Sequence, residues 1–100
     1  MVKHIVLFKL TSFSGEEDKK SQLKRMEEIF SVLPEQLDYI SEFRTGINYT
    51  MADHAWDFAI DSVFPGKGEL NMYQVSEEHQ EAVRKASSIG KIKAVVDYEF

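Results

Sequence analysis

The chain has 100 residues, a net charge of −5 at neutral pH, 43% hydrophobic and 29% charged residues, and no cysteine. That length and balance describe one domain with a single core. The acidic surface argues against a nucleic-acid binder, which needs basic groups to meet phosphates. The missing cysteines exclude disulfides, a thiolate nucleophile and Cys-ligated zinc, a pattern that fits the cytoplasm.

The run Met1-Val2-Lys3-His4-Ile5-Val6-Leu7-Phe8 is apolar but too short to span a membrane, and no small-residue cleavage site follows it. It reads as a first strand over 2–10. Val2, His4, Val6, Phe8 and Leu10 share one face; Lys3, Ile5, Leu7 and Lys9 share the other. Both faces are apolar over Ile5–Phe8, so both need cover.

After a turn, Ser14 is expected to cap a helix with Glu17 completing a capping box, and Glu16, Glu17 and Asp18 suit the positive end of the helix dipole. Leu23, Met26, Phe30 and Leu33 fall on one face with Ile29 beside them, and Pro34 is expected to stop the helix. Residues 37–49 read as a long second strand. Residues 55–64 alternate, with Trp56, Phe58, Ile60, Ser62 and Phe64 on one face, and read as a third strand paired with the second.

Pro65-Gly66-Lys67-Gly68 breaks the chain. A short helical piece is expected over 69–74. Ser76 then caps a longer helix on which His79, Val83 and Ala86 share a face, and Gly90 is expected to end it. A fourth strand covers 92–100. The order β-α-β-β-α-β predicts an α+β, ferredoxin-like protomer: a four-stranded antiparallel sheet with its helices on one face. The opposite face, with Ile5, Leu7, Ala59 and Val63, then predicts a homodimer through the sheet, favoured by roughly 25 cal/mol per Å² of apolar surface buried.

Val2-Lys3-His4-Ile5-Val6-Leu7-Phe8-Lys9, Tyr73-Gln74-Val75 with His79, and Val95-Val96-Asp97-Tyr98 together resemble the stress-responsive dimeric α/β-barrel (Dabb) family along the whole chain. One departure stands out: Ser76-Glu77 occupies the place where the family usually carries His-Pro. The resemblance implies a ferredoxin-like protomer whose dimer closes an α/β barrel, with no activity assigned to most members. It also extends distantly to olivetolic acid cyclase, a plant polyketide cyclase. Through that likeness His4, Tyr73 and His79 fall on active-site positions, and Leu23, Met26 and Ile60 on an apolar pocket wall.

His79 reads as a general base or ligand-orienting group, or equally as a buried histidine at a helix start bonded to backbone. His4 reads as pocket lining or as a histidine at the core's edge. Tyr73 either offers its hydroxyl to a ligand or packs helix against sheet. Trp56, Phe58 and Ile60 form an apolar wall that serves a ligand or simply the core. Three scattered histidines make a weak metal pattern, Gly66-Lys67-Gly68 lacks phosphate-loop spacing, and no nucleophile elbow surrounds any serine.

These residues support three functions. The first is binding of a small apolar or aromatic molecule between helices and sheet, lined by Leu23, Met26, Trp56, Phe58 and Ile60. The second is a cofactor-free enzyme, polyketide-cyclase-like or monooxygenase-like, with His79 as base and Tyr73 and His4 orienting. The first strand has no Asn to match haem-degrading relatives. The third is a dimer without ligand. No metal, cofactor, nucleic acid or membrane is expected.

Overall fold

A computed structural model describes all 100 residues. Its elements are β1 (Val2–Leu10), α1 (Glu16–Ser31), α2 (Leu33–Gln36), β2 (Glu42–Ile47), β3 (Phe58–Phe64), α3 (Lys67–Val75), α4 (Glu77–Ala86) and β4 (Gly90–Glu99). The strands form one four-stranded sheet in the order β2-β3-β1-β4, every neighbouring pair antiparallel. This is the expected ferredoxin-like arrangement. No helix is long and apolar enough to cross a membrane.

The alternation of β1 is realised as read. Val2, His4, Val6, Phe8 and Leu10 are buried, whereas Lys3, Ile5 and Leu7 are half-buried on the open face. The helices lie over the first set. Leu23, Met26, Ile29 and Phe30 of α1, Leu70 and Tyr73 of α3, and Ala82 and Ala86 of α4 close the core with Phe58, Ile60 and Phe64. Phe8, Phe30 and Phe58 form one aromatic cluster, with centroids 5.5–6.3 Å apart.

Several local expectations need correction. Ser14 does not cap α1: Gly15 holds that position with φ 90°, in the left-handed region that favours glycine. Asp18 reaches back instead, its carboxylate accepting from the Ser14 amide at 2.8 Å. Pro34 does not end the helical path, because it falls in the first turn of α2, where its missing N–H is no loss. The second strand is short. Leu37 turns into the core, with Tyr39 and Ile40 packed partly against it, so pairing starts only at Glu42.

Gly90 does not end α4, which stops at Ala86 with Ser87 as its cap; it opens β4. A Cβ there would lie 2.9 Å from the Lys9 carbonyl oxygen, so β4 leaves the turn too close to β1 for any side chain.

Trp56 lies outside β3 and on the opposite face from Phe58 and Ile60. Asp57 explains the inversion. Its carboxylate accepts from the Leu10 amide at 2.8 Å and lies 3.9 Å from Lys19 Nζ of α1, while its amide donates to the Phe8 carbonyl at 2.8 Å. Asp57 is thereby turned to the helix side, and Trp56 goes to the open face, where Lys9 Nζ sits 5.8 Å from its ring centroid. Val63 has the expected parity for the open face but is already buried within the protomer, at 2% exposure.

Candidate functional site

The helix break at Ser76 builds the site. Ser76 is extended between α3 and α4, and its Oγ accepts from the His79 amide at 3.1 Å. The same hydroxyl donates to the Tyr73 carbonyl at 2.7 Å. One side chain therefore caps α4 and ties off α3. The result is that the Tyr73 ring lies on the His79 ring, centroids 4.4 Å apart with planes inclined by 51°.

Tyr73 reaches across to β1 and β3. Its ring is 5.0 Å from Phe64 and 6.2 Å from His4. His4 is buried and packs edge-on against both Phe64 and Tyr73. The structure thus brings together His4, Tyr73 and His79 from opposite ends of the chain.

It adds a residue that the motifs did not single out as functional. Asp97 of β4 stands opposite His4 in the sheet register, and its carboxylate contacts His4 Nδ1. With Nδ1 donating to the carboxylate, Nε2 is left as an acceptor. The backbone of His4 is fixed as well, because Ser62 Oγ donates to its carbonyl at 3.2 Å. The signal for Asp97 was available only through the pairing of first and last strands.

The electrostatics follow from burial. Burial pushes the Tyr73 phenol well above its ordinary value, with the neighbouring Tyr39 adding to the effect. Burial also lowers His79 from its ordinary 6.5, partly opposed by the Gln74 backbone and reinforced by His4. Burial thus disfavours the charged form of His79. Tyr39, half-buried nearby, is raised by burial and by the Glu78 carboxylate.

No side-chain hydrogen bond engages the Tyr73 hydroxyl or His4 Nε2, although no fully sealed side-chain polar atom lacks a partner. Both atoms therefore keep a trace of solvent contact. Leu23, Met26, Phe58 and Ile60 lie in the closed core, with Phe58 in the cluster towards the other end of the sheet, and Trp56 is on the far face. None of the five main surface depressions is lined by His4, Tyr73 or His79. One of about 300 Å³, bordered by Val2, Lys67, Leu70 and Asp97, meets the carboxylate that holds His4. No three His, Asp or Glu side chains converge as metal ligands.

The family model described as the stress responsive A/B barrel domain (Dabb) matches residues 2–100. The chain belongs to the Dabb family. Among solved structures, this Dabb domain is similar to a dimeric protein of unknown function and ferredoxin-like fold from Bacteroides fragilis. The two are 31% identical, with 99% of this chain and 95% of that one covered and a TM-score of 0.84. A dimeric ferredoxin-like protein of unknown function from Thermobifida fusca is 19% identical, covering 99% and 90%, TM-score 0.80. The hydroxynitrile lyase of Passiflora edulis is 20% identical, covering 97% and 90%, TM-score 0.76. At the last two identities the likeness concerns the fold. No curated protein matches this Dabb domain.

Proposed function

We propose that this Dabb domain binds a small, largely apolar or aromatic molecule whose polar group is held by Tyr73, His79 and His4. The observation that supports this most is the convergence of three polar rings at the edge of the apolar core, His4 and Tyr73 buried and His79 half-buried, with the Tyr73 hydroxyl and His4 Nε2 free of protein partners. Both atoms reach solvent, so the polar edge of the rings is open to a ligand's polar group. The depression beside Val2, Leu70 and Asp97 is the approach. The same reading places the domain in the cytoplasm as a homodimer joined through the open face around Ile5, Leu7 and Ala59, in keeping with the dimeric Bacteroides fragilis protein.

A second reading rests on the Asp97–His4 contact. A carboxylate holding one imidazole nitrogen leaves the other as a hydrogen-bond acceptor that can orient a ligand, and His79, its charged form disfavoured by burial, stands across Tyr73 from it. That arrangement suits cofactor-free proton transfer on an enolisable compound, with His79 as general base and the second imidazole orienting. One protein of this fold is a hydroxynitrile lyase.

A thermal-shift panel of aromatic and polyketide-like compounds tests the binding reading. A compound that raises the midpoint of the parent protein and not of Tyr73→Phe or His79→Ala supports it. Equal shifts in all three proteins overturn it. Turnover of such a compound that survives His79→Ala removes the second reading.

A further inference from the structure

Strand β4 is left uncovered on both sides of the sheet. Ile92 and Val95 pair with Phe8 and Val6, so they belong to the helix side, yet each is 49% exposed. Val96 and Tyr98 are exposed on the open face. A second copy stacked on the open face covers the latter pair and cannot reach the former. In such a dimer, cover for Ile92 and Val95 would come from a segment that projects past the partner's own sheet.

The chain has one such segment. The loop from Asn48 to Trp56, joining β2 to β3, carries Tyr49 and Met51 at 96% and 93% exposure. Sheet register says where it lands. Ile47, Phe58, Phe8 and Ile92 stand in one row across the sheet, so the loop and the Ile92 end of β4 lie at the same end of the strands, on opposite edges. A two-fold axis parallel to the strands, between two stacked open faces, sets β2 of one copy over β4 of the other with these ends matched. A two-fold across the strands would instead set β2 over β2 and carry the loop to its other end, beside Glu42.

Charge chooses between them. The loop carries the exposed Asp53, which would meet the already paired Glu42 and Arg44 in the second arrangement and the exposed Lys91 and Lys93 in the first. We propose that the loop from Asn48 to Trp56 is a dimerisation arm: Tyr49 and Met51 of one protomer seat on the partner's Ile92 and Val95, with Asp53 facing the partner's Lys91 and Lys93. The proposal rests on the homodimer reading above and deepens it.

The absence of native cysteine makes the test clean. Single variants Met51→Cys and Lys93→Cys are mixed, allowed to exchange subunits and treated with a short bismaleimide, so that any link between the two variants joins two protomers. The proposal expects a covalent dimer carrying one of each variant. A dimer by mass in solution that yields no mixed cross-link overturns the arm and leaves the homodimer standing. A monomer at micromolar concentration overturns both. In parallel, Tyr49→Ser/Met51→Ser is expected to weaken dimerisation on the order of tenfold or more, from lost apolar burial. An unchanged dissociation constant contradicts the arm.

Discussion

The Tyr73 and His79 rings are in contact, 4.4 Å between centroids, although six residues and a helix break separate them. The contact exists because Ser76 is extended and bonds both helices. The residue that departs from the usual family pattern is therefore the one that sets the site's geometry.

His79 gives the first prediction. Its folded value is lowered by burial, so the folded state binds a proton less readily than the unfolded chain. The stability this contributes is present above the unfolded value of about 6.5 and is lost as pH falls through the folded value. Chemical denaturation of the parent protein is expected to show stability dropping as pH falls below about 6.5, and His79→Gln a smaller drop. Equal slopes for the two proteins would contradict the burial of the ring.

The fold was legible in the sequence, and the site only partly so. Period-two alternation in β1 and helical spacing in α1 are strong local signals, and both elements stand where the pattern put them. Trp56 defeated the same reasoning because strand parity presumes an unbroken ladder, and the Asp57 carboxylate breaks it by taking the Leu10 amide. Gly90 has the pattern of a helix stop; its cause is the Lys9 carbonyl oxygen of another strand, 2.9 Å from where a Cβ would stand, which no local pattern encodes. Asp97 was invisible as a partner of His4 for the same reason, as 93 residues separate them.

Tyr73 separates packing from recognition. Its ring is sealed at 1% exposure, whereas its hydroxyl bonds to no protein group. Tyr73→Ala should cost about 3–5 kcal/mol through the cavity it leaves. Tyr73→Phe should cost less than about 1 kcal/mol while weakening ligand binding. Urea denaturation together with the thermal-shift panel reads both effects, and a strongly destabilised Tyr73→Phe would show that the hydroxyl is structural.

Ser76 is the third test. Ser76→Ala removes the α4 cap and the bond to the Tyr73 carbonyl, with an expected loss of about 1 kcal/mol. Because the same hydroxyl sets Tyr73 against His79, the variant should also lose ligand-induced stabilisation. Ser76→Asp is expected to restore most of the cap, since a carboxylate accepts from the His79 amide equally well. A Ser76→Ala protein as stable as the parent would remove the role assigned to the helix break.

The central claim is that a small molecule binds at His4, Tyr73 and His79. The most direct measurement is a titration of the protein with an aromatic β-dicarbonyl probe, followed through the histidine ring and tryptophan indole signals by NMR. The account predicts that the His79 and His4 ring signals move together and saturate, while the Trp56 indole on the opposite face of the sheet stays in place. Movement of the Trp56 signal with both histidines unmoved would contradict it.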